Sequence, residues 1–191
     1  LRDLVEVSLS TGMRTGEIRA LEWSDIDFEN KVIHITGTLA ELGGKVFKET
    51  PKTKTSLRDI PMLENVEKIF IKIKEDQSVK EKKLGDKYKS KEGLENLVFK
   101  SRRGTPVLNS CYVRMINRAV DKINDEGIEF EHVHPHTLRH TFATRCIESG
   151  IPPQVLKTIL GHSSLAMTMD LYAHVLPDTK AEEMKKIASL F

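Results

Sequence analysis

Cysteine is almost missing from this chain: only Cys111 and Cys146 occur, and they form no CxxC pair. That excludes a disulfide framework and a cysteine-built zinc site. No stretch approaches the roughly 18 apolar residues of a membrane span, and no signal-peptide pattern opens the sequence. A soluble protein in a reducing, cytoplasmic setting is expected. Neither sign of charge is in excess, with 30 Lys and Arg against 28 Asp and Glu and a net charge of +2. Overall electrostatics therefore do not announce a nucleic-acid partner, and any such surface has to come from local segregation of charge. Internal repeats are lacking. So are the carboxylate clusters expected of a magnesium site, and His132, His134, His136 and His140 lack the HExxH arrangement of a zinc hydrolase.

What is present is a single domain's worth of patterned sequence. The 191 residues are enough to bury one core. Leu1, Leu4, Val5 and Leu9 stand at helical spacing from the first residue, so the chain reads as a piece of a longer protein. Thr11 to Gly16 interrupts that helix. Thr15 is placed to cap the next one, through Ile18, Ala20, Leu21 and Trp23, with Arg14 at the junction. Lys31 to Leu39 alternates as a strand, Gly43 and Gly44 turn the chain into Lys45 to Thr50, and Leu57 to Met62 reads as a third strand. A small antiparallel three-stranded sheet is expected from them. Helical period returns from Leu63 to about Ile73, while Lys74 to Glu95 is so rich in Lys and Glu that it reads as an exposed helix end plus a partly disordered loop.

Cys111 to Ile123 gives a helix with Tyr112, Met115, Ile116, Ala119, Val120 and Ile123 on one stripe. Pro135 starts a helix that runs to Gly150, Pro152 or Pro153 starts another that stops at Gly161, and Ser164 caps a third through Tyr172. Pro177 ends it. Thr179 with Glu182 then opens a tail helix over 177–191, with Met184, Ile187, Ala188 and Phe191 along one side. The fold class expected is mainly α with a small antiparallel three-stranded sheet, an α+β arrangement.

Basic residues gather at Lys45, Lys48, Lys52, Lys54 and Arg58, within fourteen positions that hold the single acid Glu49. Lys45, Lys48 and Arg58 are the expected DNA-binding residues of this run. Elsewhere two arginines, two histidines and a tyrosine stand where elements begin or end, which is where functional groups concentrate. Such a set suits attack on a phosphodiester. Tyrosine, with an ordinary pKa of ~10, needs a base or a strongly electropositive site to act as nucleophile. Two guanidiniums hold both non-bridging oxygens in a fork that lysine does not reproduce. A leaving alkoxide needs a proton, which a hairpin lysine or a histidine supplies as general acid. That chemistry requires no metal.

These residues resemble the tyrosine recombinase, or phage integrase, family over essentially the whole chain. Thr11-Gly12-Met13-Arg14-Thr15-Gly16-Glu17 looks like the family's first arginine box, with Arg14 catalytic and Glu17 its acidic support. His136-Thr137-Leu138-Arg139-His140 looks like the second, supplying His136 and Arg139, with His140 structural. Leu160-Gly161-His162 looks like the third, and Tyr172-Ala173-His174 like the nucleophile segment. The resemblance implies the catalytic-domain fold of that family over 1–191, with the N-terminal arm and core DNA-binding domains outside this fragment and 177–191 as a C-terminal tail. It implies strand cleavage and rejoining through a 3′-phosphotyrosyl link to Tyr172, for integration or excision of a mobile element, with no cofactor.

A type IB topoisomerase shares this chemistry, but the small chain and the tyrosine segment following directly on Gly161-His162-Ser163-Ser164 favour the recombinase. The family's hairpin lysine falls on Lys52, preferred for its Pro51-Lys52-Thr53 context, with Lys54 as the alternative. Expected partners are double-stranded attachment-site DNA and further copies of the chain, monomeric as an isolated domain and tetrameric on DNA. The tail packs either within its own subunit or on a neighbour.

Overall fold

The apolar spacing of the opening residues forms α1 (Arg2–Thr11), which buries Leu4 and Val7. In the computed structural model, residues 2–50 and 54–176 are described, Lys54 by its backbone alone; Lys52 and the tail at 177–191 lie outside them. Gly12 ends α1 at φ +62°, where a Cβ would fall 2.3 Å from the ring of Phe142. Only glycine lets the chain turn there at such close approach. The next helix, α2 (Thr15–Ala20), begins one residue earlier than the sequence reading, so Arg14 itself occupies the cap position in extended conformation.

Five short strands follow: β1 (Ile26–Asp27), β2 (Val32–Ile35), β3 (Thr38–Leu42), β4 (Lys45–Glu49) and β5 (Arg58–Pro61). They form two sheets, which corrects the expected strand membership. The three-stranded antiparallel sheet has the order β1-β2-β5, and β3 pairs with β4 in a separate hairpin. The run Lys31 to Leu39 is not one strand: between β2, which pairs with β1 and β5, and β3, which pairs with β4, Thr36 donates its hydroxyl to Asp25 at 2.9 Å. Within the sheet Ile35 pairs with Arg58 and Ile33 with Ile60. Since side chains alternate faces along a strand, Arg58 shares the inner face with Ile60, and both are buried.

The Lys- and Glu-rich region is helical for longer than its composition indicated. α3 (Glu64–Leu84) runs a further eleven residues past Ile73. Gln77 explains its persistence, accepting from the indole of Trp23 at 3.1 Å and donating to the carbonyls of Leu97 and Val98. α4 (Asn109–Asp125) buries Tyr112, Ile116 and Val120 but leaves Ala119 exposed. Three helices complete the described chain: α5 (Pro135–Glu148), α6 (Pro153–Leu160) and α7 (Leu165–Val175). The starts and stops of α5 and α6 follow the proline and glycine punctuation of the sequence, while α7 is capped at its start by Ser164, whose side chain accepts from the Met167 backbone.

Two cores result. The larger joins α1, the three-stranded sheet, α3 and α4 through residues such as Val7, Ile33, Ile60, Phe70 and Tyr112. The smaller joins α5, α6 and α7 through Ala143, Cys146, Ile147, Leu156 and Leu160, with Tyr172 packed at its margin. Among the described residues no helix is long and apolar enough to cross a membrane. The seam between the two cores is where the C-terminal end of α6 meets α2 and β5.

Candidate active site

A helix ends with its last carbonyls unpaired and its dipole negative. At the end of α6, Gly161 takes the left-handed conformation, φ 64° and ψ 44°. Carbonyls of three successive residues there each accept from a different arginine. Arg58 Nε donates to Ile159 at 2.6 Å, Arg139 to Leu160 at 2.6 Å, and Arg14 to Gly161 at 3.0 Å. Arg139 also donates to the carbonyl of Gly12 at 2.7 Å. The first and second arginine segments are thereby tied to the histidine segment that follows Gly161.

Glu17 sets the second tier. Its carboxylate accepts from both terminal nitrogens of Arg58 at 2.9 Å, and from the Arg14 side chain at 2.8 Å and backbone at 2.7 Å. Burial pushes the Glu17 carboxyl up, but the hydrogen bonds and charge of Arg58, with those of Arg14, outweigh it and hold the pKa at about 2. Glu17 is thus ionised at neutral pH. One carboxylate then serves two guanidiniums while Arg139 adds a third charge, so the cluster is left electropositive.

That excess is felt by its neighbours. Burial first, then Arg14, moves Arg139 down to about 9, still charged at neutral pH. His162 is lowered to about 4 by burial and by Arg139 and Arg14. His136 is lowered by burial, His140, Arg139 and Arg14. Both imidazoles are therefore neutral near pH 7, able to accept a proton or share one. His162 Nδ1 lies 2.9 Å from the hydroxyl of Thr168, a fully buried residue of α7, which fixes the ring and leaves its other nitrogen for the cavity.

Arg14, His136, Arg139 and His162 line one cavity of about 180 Å³ together with His140, Met167 and Leu171. Four of the expected site residues are therefore brought together. His140, read from sequence as structural, reaches the same cavity with its ring 4.6 Å from that of His136. The signal was available: positions four apart on a helix share a face. Thr168 was missed, having nothing in sequence to mark it but its place four residues before Tyr172.

Tyr172 is not among the cavity residues. Its side chain is half-buried in the smaller core, and its hydroxyl donates to the carbonyl of Ile151. Burial and the nearby Cys146 push its pKa up. Its neighbour Leu171 faces the cavity instead. For the lysines, Lys54 opens a single turn of tighter helix, Lys54–Ser56, and Lys52 lies outside the described residues.

The expected DNA-binding set needs correction. Arg58 is buried, with its guanidinium engaged by Glu17, Ile159 and Ser56, and offers no free surface for a phosphate backbone. Lys48 is bridged between Glu22 at 2.8 Å and Asp25 at 3.3 Å. Lys45 remains exposed at the start of β4.

Paired guanidiniums and neutral imidazoles surround a small electropositive cavity, next to a helix that carries a tyrosine, and the charge of that cavity suits an anion. Comparison with known proteins then places the chain: residues 1–178 match the phage integrase family, and the chain belongs to that family. It is 34% identical over 189 residues to the transposase from transposon Tn916 of Enterococcus faecalis, covering 97% of this chain and 45% of that protein. The ICEBs1 integrase of Bacillus subtilis is 28% identical over 184 residues, 96% of this chain and 47% of its own length. The chain spans about half the length of the curated relatives it matches.

Among solved structures, the Tn1549 transposon integrase in complex with transposon right end DNA matches with a TM-score of 0.83 at 33% identity, over 97% of this chain and 58% of that one. The XerA recombinase matches with a TM-score of 0.60 at 27% identity, over 97% and 61%. The fold is that of a tyrosine recombinase catalytic domain.

Proposed function

We propose that this chain is the catalytic domain of a site-specific DNA recombinase that cuts and rejoins strands through Tyr172, for integration or excision of a mobile element. The observation that carries this reading is the single cavity uniting Arg14, Arg139, His136 and His162 beside the helix of Tyr172. Double-stranded DNA is the substrate, a reading supported by the Tn1549 transposon integrase in complex with transposon right end DNA. Arg14 and Arg139 clamp the non-bridging oxygens and stabilise the charge of the pentacoordinate transition state. The Tyr172 oxygen attacks phosphorus as the bond to the 5′ oxygen breaks. His136, neutral in this field, accepts the phenol proton, and His162 hydrogen-bonds the phosphate. The 5′ alkoxide takes a proton from the hairpin lysine, Lys52, with Lys54 as the alternative. A 5′ hydroxyl from a partner duplex then attacks the phosphotyrosyl ester and regenerates Tyr172. The ester conserves the bond energy, so the cycle needs no external energy source.

For attack, Tyr172 has to release the Ile151 carbonyl. A net hydrogen bond is worth about 1 kcal/mol, small against any reaction barrier, so this contact is a resting place rather than a lock. Lys45 contacts the DNA backbone. The active species is a tetramer on DNA, with the isolated domain monomeric. The working compartment is the cytoplasm.

The test is a suicide duplex carrying the ends of the encoding element, nicked beside the scissile phosphate so that the released fragment diffuses away. The parent protein should form a covalent DNA adduct and Tyr172→Phe should form none. An adduct that persists in Tyr172→Phe sinks the proposal.

A further inference from the structure

Arg58 does not line the cavity that holds Arg14 and Arg139, yet each hydrogen bond that orients Arg14 ends on a group Arg58 touches. Arg14 is held by Glu17, through backbone and side chain, and by the Gly161 carbonyl. Arg58 grips both oxygens of the same carboxylate and bonds Ile159 two residues before Gly161. It also packs against Gly161 so closely that a Cβ there would fall 3.0 Å from its guanidinium. The side chain of Arg58 is only 3% exposed and that of Glu17 only 5%. The bonds close a ring: Arg58 to Glu17, Glu17 to Arg14, Arg14 to the end of α6, and α6 back to Arg58.

We infer that Arg58 is a positioning residue for the strand-transfer reaction, acting on the scissile phosphate through Glu17 and Arg14. Two physical effects carry this. A carboxylate held by both oxygens in a fork cannot rotate, so the directions it offers Arg14 are fixed. Arg58 also neutralises Glu17. Without it, a buried carboxylate with one cationic partner would draw Arg14 into a two-pronged pair and cancel the charge meant for the phosphate. The buried place of Arg58 on the inner face of β5 thus gives it a task different from surface contact with DNA. The inference rests on the reading of Tyr172 and Arg14 as recombinase catalysts.

The experiment is a double-mutant cycle on the nicked suicide duplex, using the full-length protein and following the rate of adduct formation with Arg14→Ala, Arg58→Gln and both together. Arg58→Gln alone should slow cleavage by about 10²-fold, the scale of losing a preorganised donor, and Arg58→Lys, which keeps charge but not the fork, by about tenfold. Added to Arg14→Ala, either change should cost less than about threefold more, because the group it positions is already gone. A merely structural role would slow the two backgrounds by the same factor, and that result overturns the inference. A second substrate with one non-bridging oxygen replaced by methyl removes a charge the clamp serves. On it the Arg58 variants should fall within about threefold of the parent, and an undiminished penalty counts against positioning. If Arg58→Gln does not melt as a folded protein, Arg58→Lys carries both arms. A parent that forms no Tyr172 adduct overturns this inference together with the functional proposal, whereas multiplying penalties in an active parent overturn this one alone.

Discussion

At the end of α6 every guanidinium is tied down: Arg58 by Glu17, Ile159 and Ser56, Arg139 by Gly12 and Leu160, Arg14 by Glu17 and Gly161. Next to it, α7 is held loosely. Its only fully buried residue is Thr168, while Met167 and Met169 are 48% and 45% exposed and Tyr172 rests on a backbone carbonyl away from the cavity. On the proposed function, the phosphate grip is therefore built before DNA arrives, and the nucleophile is not. Electrostatic stabilisation works best when donors need no reorganisation, whereas a tyrosine that swings in last is kept from idle reaction.

The contrast can be broken most severely at Arg139. Arg139→Ala removes a clamp and orphans the carbonyls of Gly12 and Leu160, so adduct formation should fall by about 10³-fold and unfolding stability by about 2 kcal/mol or more, read by chemical denaturation. Unchanged stability would mean that the cluster is not the structural joint described above.

Acid should loosen the same joint next. The folded pKa of His162, about 4, lies below its ordinary 6.5, and that of Glu17, about 2, below 4.5. In both cases the unfolded chain takes up protons that the folded one resists, so stability is full above these ordinary values and is lost as pH falls. The loss should begin below pH 6.5 through His162 and continue from 4.5 toward 2 through Glu17, the latter on the order of 3 kcal/mol. Melting temperatures measured across that range check it. A His162→Gln variant with the same slope between pH 6.5 and 4 would contradict the first part.

The smallest effect belongs to the tyrosine. Tyr172→Phe deletes one hydrogen bond at a half-buried site, so it should shift stability by about 1 kcal/mol or less while abolishing the adduct. A larger destabilisation would show that the Ile151 contact holds α7 in place and that the two regions are less different than drawn.

The sequence displayed the architecture of the last third well, because proline and glycine set the bounds of α5 and α6, and the Ser164 cap the start of α7, by local chemistry. Arg14, His136, Arg139 and His162 were legible for a related reason, each standing at or near a helix end. Arg58 was misjudged by charge, although its position two residues before the buried Ile60 in a short strand placed it on the inner face. Two features had no local signature. The split between β2 and β3 puts the two strands in different sheets, with Thr36 bonded to Asp25 eleven residues away at the break. The direction of the Tyr172 side chain depends on how α7 sits against α5 and α6, which helical spacing does not fix.

The shortness of α6 has a consequence of scale. Its eight residues span ~12 Å, with the arginine cluster at one end and, just before the other, the Ile151 carbonyl that holds the Tyr172 hydroxyl. If the proposed function holds, the helix acts as a ruler between the place where the tyrosine waits and the place where the phosphate is gripped. Adding or removing a turn of α6 would change how far the nucleophile has to travel while leaving every side chain of the site intact.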